Sequence, residues 1–443
     1  MKLMYGILLF LTISALAPDD LLGYPRDTVI RVDIPCDSIQ LLRRIARDTW
    51  GYFRDMVDKK MGLPVDHIRL SPQVEIGGYT SPTNIGLYMV SVISAYDLGF
   101  IEREEAISRI RQVLFTIEGM EKFEGWLFNW YDLCPLKRTT DFISSVDSGW
   151  FSMGLIIARQ TFPEISELCS GIIESQNLSF FYDDSTGQMW HGYDAKSREY
   201  SPYHYGLLCT ESRAVSLLAI GKGDVPKEHY FKIYRVLPDK DVQGKMKRYV
   251  GVDVFEGYYL YKDIKIVPSW GGSLFEFLMP ALFVNEKELA QKSLGANDSF
   301  AVVVHIDYCL NEKGYSVWGM SPCCAPDYNY REYGVPLIGE KKDGYPDEIV
   351  TPYATFLAIE FLPEEVIQNI KRLLCYDIYG EYGFYDSVDP KTGNVAKIYL
   401  CLDQALILIS LNNYLNNGII RERFHQDPIG KGIEELISVE EFF

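Results

Sequence analysis

The chain has 443 residues, a formal net charge of −18 and 14% aromatic residues, among them 31 Tyr and 7 Trp. So acidic a surface repels phosphate backbones and anionic membranes. No basic patch interrupts it, so nucleic acid is excluded as a partner and a neutral or cationic substrate is expected.

Residues 1–17 carry one basic side chain, a short apolar run and an Ala-Leu-Ala ending. This reads as a secretory signal peptide cleaved after Ala17, with an N-terminal strand or buried segment as the competing reading. The expected location is periplasmic or secreted. No other stretch is long and apolar enough for stable membrane insertion. Helical periodicity then recurs over 38–58, 83–98, 103–119, 147–160, 163–175, 205–220, 226–236, 273–284, 286–311, 351–361, 363–375 and 400–415, about twelve helices in all. Ser81-Pro82 and Thr351-Pro352 mark two of their starts. Residues 249–266 read as the one strand-rich stretch, a hairpin turning around Phe255-Glu-Gly-Tyr258. No linker divides the chain, so residues 18–443 are expected to form a single domain. Helices in alternating pairs suggest an all-α fold, an (α/α)6 barrel with a minor β-hairpin; an open α-solenoid fits the same pattern. The nine cysteines show neither zinc nor redox spacing, and most read as small core residues.

Glu211 lies in 205–220. On a helix it would share a stripe with Leu207, Ala214 and Leu218, placing a carboxyl on a core-like face. Burial raises a carboxyl pKa, which suits a general acid. Pairing with Arg213 is the competing structural role. Further acids accompany aromatic segments: Asp141 and Asp147 before Trp150, Glu276 after Trp270, Asp327 and Glu332 after Trp318, and Asp403 in the last long helix. Four of them have a structural alternative. Asp147 can serve a helix first turn, Glu276 can brace a loop, Asp327 can bond its own turn, and Asp403 can cap. The six histidines form no metal set, and no nucleophile elbow, P-loop or dinucleotide fingerprint occurs.

These segments resemble the glucoamylase-like family of helical barrels, which includes endo-β-1,2-glucanases and the transglycosylating domain of cyclic β-1,2-glucan synthases. The resemblance rests on Thr80-Ser-Pro-Thr-Asn-Ile-Gly-Leu-Tyr88, Phe128-Asn-Trp-Tyr-Asp132, Ser145-Val-Asp-Ser-Gly149, Thr210-Glu-Ser-Arg-Ala214, Ser269-Trp-Gly-Gly-Ser-Leu-Phe-Glu276, Tyr382-Gly-Phe-Tyr-Asp386 and Tyr399-Leu-Cys-Leu-Asp-Gln404. It implies an (α/α)6 barrel and places the family's essential glutamate on Glu211. A second glutamate of the synthase branch is missing, because Met320-Ser-Pro-Cys323 stands there. Ala325-Pro-Asp-Tyr328 is similar to an aspartate turn of the hydrolase branch and points to Asp327.

The expectation is a glycoside hydrolase acting on a β-linked glucan, with β-1,2-glucan the first candidate. Glu211 would be its general acid, and Asp147, Asp141 or Asp327 the acid opposite. Trp130, Trp150, Trp190, Trp270, Trp318 and Tyr353 would line the sugar subsites, with His191, Glu276 and Arg331 as polar contacts. The partner would be an oligo- or polysaccharide, with no cofactor and no metal. A transglycosylase on the same substrate class, a non-catalytic glycan-binding barrel and a polysaccharide lyase remain as alternatives.

Overall fold

The computed structural model describes residues 37–443, so the expected signal peptide lies outside the described residues. In chain order the helices are α1 (Ser38–Asp55), α2 (Pro82–Asp97), α3 (Arg103–Gly119), α4 (Ser145–Thr161), α5 (Ser166–Ser175), α6 (Arg213–Lys222), α7 (Glu228–Lys232) and α8 (Leu274–Leu278). They continue with α9 (Glu286–Leu289), α10 (Leu294–Asp307), α11 (Pro352–Leu357), α12 (Pro363–Leu373), α13 (Cys401–Leu415), α14 (Ile419–Gln426) and α15 (Pro428–Ser438). The fold is mostly helical, with small two- and three-stranded antiparallel sheets in the connections.

The helices sort into two layers for reasons written in their sequences. α2 and α13 are buried on nearly every side, as interior helices must be. α1 and α12 bury one face only and carry charge on the other. In the inner layer α2 packs on α4 and α13, α4 on α6, α13 on α11, and α11 on α8. Gly86 of α2 and Gly154 of α4 lie where a Cβ would strike the facing backbone, so these two helices cross in near backbone contact. The remaining junction, α6 to α8, is bridged by Arg213, whose guanidinium donates to the carbonyls of Glu276 and Phe277. The outer layer follows the same order: α3 on α2, α5 on α4, α15 on α6, α10 on α8, α12 on α11 and α1 on α13.

Three expectations change. The 205–220 run is helical only from Arg213. Gly206 and Leu208 are held extended by exchanging backbone hydrogen bonds with Tyr234, and this delays the helix start. Glu211 therefore sits in the turn leading into α6, not on a helix stripe. The hairpin turns at Val250-Gly251, both at positive φ (48° and 84°), while Phe255–Tyr258 lie within its second strand, Val252–Tyr261. Helices α14 and α15 were not anticipated. Asp427 caps α15 with Pro428 at its first position, a start signal present in the sequence.

Candidate active site

The acids gather because of where the inner helices begin. Asp147 is the third residue of α4, Glu276 the third of α8 and Asp403 the third of α13; Glu211 lies two residues before the start of α6. Carboxyls are stabilised at helix N-termini, where unpaired amides concentrate partial positive charge. Electrostatic coupling of Glu211 to both Asp147 and Glu276 puts the starts of α4, α6 and α8 at one end of the inner layer.

Glu211 is half-buried and flanked by like charge. Desolvation first, then the carboxyl of Glu276, push its pKa up to about 7. Arg213 does not pair with it. That guanidinium is fully buried and bonds Glu286 through Nε–Oε1 at 2.8 Å and Nη2–Oε2 at 2.7 Å. Glu211 is left as a carboxyl able to hold a proton near neutrality.

Asp147 is held differently. Thr83 Oγ1 donates to its Oδ1 at 2.5 Å. With the Asn129 amide oriented to satisfy both neighbours, Nδ2 donates to Asp147 Oδ2 at 2.9 Å and Oδ1 accepts from Trp130 Nε1 at 3.2 Å. Desolvation raises the Asp147 pKa, while the Thr83 and Ser144 bonds and the nearby His191 act against that rise. Ser144, not Asp147, caps α4. Ser145 Oγ donates to the Trp190 carbonyl at 2.8 Å, which places His191 beside Asp147. Burial lowers the His191 pKa and the Asp147 charge partly restores it. Tyr205 packs its ring 5.0 Å from that of His191, and burial plus the charges of Glu211 and Asp147 hold its hydroxyl protonated.

Glu276 braces a loop. Its carboxyl accepts from Ser269 Oγ, the Gly271 amide, and both the amide and Oγ of Ser273, all at 2.8–3.2 Å. It completes a capping box on α8 and is 5% exposed. This loop seats Tyr345, which feels the charges of Glu276 and Glu211 and lies where any Cβ on Gly271 would strike its ring.

Asp403 was expected to cap α13. Instead both of its carboxyl oxygens are buried without a donor, as is Oδ1 of Asp386. Asp386 Oδ2 accepts from the Cys324 amide at 2.7 Å. Desolvation and then the neighbouring Asp386 charge raise Asp403 well above the carboxylate range, and burial brings Asp386 to about 7. Two adjacent buried carboxyls of this kind hold a proton between them. The sequence places both residues in quoted motifs, but only burial reveals the pair.

The other expected residues are dispersed. Asp141 pairs with Arg138. Asp327 forms a two-pronged ion pair with Arg331 (2.9 and 2.6 Å) on an exposed turn and also accepts from the Asn329 amide, which depresses its pKa. Trp150 (2% exposed) packs on Phe283, and Trp318 (1%) is equally enclosed, so neither offers a free face. Tyr353 is buried, with its hydroxyl on the Pro322 carbonyl. Trp130, Trp190 and Trp270 remain half-buried. Among the described residues, no three His, Cys, Asp or Glu side chains group as metal ligands, and no helix is long and apolar enough to cross a membrane.

The family model described as "Putative glucoamylase" matches residues 205–428, just over half of the chain, and the model DUF3131, described as a protein of unknown function, matches 44–205. The two meet at Tyr205, yet α2 and α4 on one side pack against α13 and α6 on the other. The chain is 25% identical to the cyclic β-(1,2)-glucan synthase NdvB of Rhizobium meliloti, covering 91% of this chain and 18% of that protein. It is 21% identical to an exo β-1,2-glucooligosaccharide sophorohydrolase (non-reducing end) of Parabacteroides distasonis, covering 93% and 60%. It thus spans less than two thirds of either relative. The fold matches the endo-β-1,2-glucanase of Chitinophaga pinensis, solved with sophorotriose and glucose, with a TM-score of 0.73 at 16% identity over 91% of this chain and 98% of that one. With its family match, its relatives and its fold in agreement, the chain belongs to the Glycoamylase family.

Proposed function

We propose that the chain is a glycoside hydrolase acting on β-1,2-linked glucan. Its six inner and six outer helices would form an (α/α)6 barrel, with the site at the end where the inner helices begin. The observation that carries the reading is Glu211, a half-buried carboxyl with a pKa of about 7 beside a second carboxyl, Asp147, held by hydrogen-bond donors. Glycoside cleavage asks for this division of labour: one acid protonated to give its proton to the leaving oxygen, another ionised to activate water or attack. Relatives named for β-1,2-glucan synthesis and β-1,2-glucooligosaccharide hydrolysis support the linkage.

In this mechanism Glu211 donates its proton to the glycosidic oxygen as the bond to the anomeric carbon breaks. Asp147 receives the proton of the incoming water or forms the bond itself. Thr83 and Asn129 fix the Asp147 carboxyl, and Trp130, oriented through Asn129, presents a ring edge to a bound sugar.

Incubation of the purified protein with a panel of β-1,2-, β-1,3- and β-1,4-glucans tests the proposal. Release of oligosaccharides from the β-1,2 polymer alone is expected. Turnover of the other linkages only, or of none, overturns it.

A further inference from the structure

The strand His204–Tyr205 pairs with Gln188–Trp190 in the register Met189–Tyr205 and Trp190–His204, and the ladder continues through the His191 amide to the Tyr203 carbonyl at 2.9 Å. Side chains alternate across such a pair. Met189, His191, Tyr203 and Tyr205 therefore share one face, and Trp190 and His204 share the other. The first face is the one that carries Tyr205 and His191 to Glu211 and Asp147. Tyr203 stands on it one step further out, 52% exposed, and its side chain makes no hydrogen bond or ring contact with any described residue.

The backing of this ribbon is rigid. Trp190 stacks on His204 with centroids 3.8 Å apart and on Tyr200 at 5.5 Å with planes 16° apart. His204 is anchored to Asp183 at 2.8 Å, and Tyr200 donates to the Phe180 carbonyl at 2.7 Å. Tyr200, also exposed, is thus tied down, while Tyr203 is free at the residue that leads into the fixed strand, beside Pro202. A flat amphipathic ring, rigidly carried and in line with the acids, suits stacking on the apolar face of a pyranose.

We propose that Tyr203 is an outer stacking platform for an extended β-glucan chain, engaging a glucose unit beyond those at Glu211 and Asp147. This rests on the proposed activity and adds to it a preference for chains over short oligosaccharides. Stacking on a remote unit is equal in the ground and transition states, so it lowers KM for long substrates and leaves kcat unchanged.

The test compares the wild-type chain with Tyr203→Ala and Tyr203→Trp on linear β-1,2-gluco-oligosaccharides of graded length. Tyr203→Ala is expected to raise KM by about three- to tenfold for the longest chains, to leave the shortest cleaved substrate unchanged, and to leave kcat unaltered, with Tyr203→Trp restoring KM. Unchanged thermal unfolding, expected for so exposed a side chain, separates this from misfolding. Equal KM at every length, or an equal loss at every length, overturns the platform. If the wild type cleaves none of these sugars, the proposed activity fails, and calorimetric binding of the same series decides the platform. Affinity lost in Tyr203→Ala for long chains only upholds it; equal binding or no binding overturns it.

Discussion

Arg213 stands two residues after Glu211 yet turns its guanidinium away and onto Glu286, making two hydrogen bonds of 2.8 and 2.7 Å in a fully buried pair. Its remaining donors go to the carbonyls of Thr210, Glu276 and Phe277. The arginine that could have neutralised Glu211 is thereby spent on joining α6 to α8.

The loss of this pair should be structural first. Glu286→Gln removes the two-pronged partner and leaves the buried guanidinium only the longer contact to Asp298 at 3.6 Å as a counter-charge. It is expected to cost about 3 kcal/mol, the low end for breaking a buried pair. Denaturant unfolding checks this, and a loss under about 1 kcal/mol would show that the pair does not hold the junction.

The pH dependence of turnover follows from Glu211. Its pKa is raised to about 7, so it carries the proton below that value and loses it above. The rate on β-1,2-glucan should fall as pH rises through about 7, and fall on the acid side where Asp147 takes up its proton. A kcat profile still flat two pH units above neutrality would remove Glu211 as the acid.

The Asp386–Asp403 pair makes a prediction about stability. Both pKa values are raised in the folded protein. A carboxyl raised on folding contributes stability that is complete below its unfolded pKa and lost as pH rises through its folded pKa. Asp403→Asn removes one titrating group. Its unfolding free energy should therefore gain on that of the wild type between about pH 5 and pH 8, at up to about 1.4 kcal/mol per pH unit. A difference constant across that window would contradict a shared proton.

Glu276 braces a loop in the structure, and its replacement should act through position. Glu276→Gln halves the acceptors available to four donors and is expected to cost about 1–3 kcal/mol of stability. Activity should fall, and the pH limb near 7 should move to lower pH, because the Glu276 charge helps to raise the Glu211 pKa; the pH profile of the variant checks this. A limb that stays in place would contradict the coupling of the two carboxyls.

Much of the architecture was legible because helix starts advertise themselves. Ser81-Pro82 and the first turns of α3 and α12 fall where their residues indicate. Glu211 was found through its neighbours, although the helical stripe first invoked for it does not exist. Gly206 and Leu208 pair with Tyr234, a contact across 26 positions that no local pattern encodes. Trp150 and Trp318 looked like sugar platforms because a Trp near a helix start reads the same whether it faces a cleft or Phe283. Asp403 was hidden for a related reason. A carboxyl in a first turn reads as a cap, and only the absence of donors shows otherwise. The short strands that carry His191, Tyr203 and Tyr205 are too brief to show alternation.

The account stands on Glu211 as the proton donor. The most direct measurement is the rate of oligosaccharide release from β-1,2-glucan by the wild-type chain and by Glu211→Gln, with folding of both verified by thermal unfolding. A loss of at least about a hundredfold in kcat, with substrate binding retained, is predicted. Equal release by both proteins would contradict it.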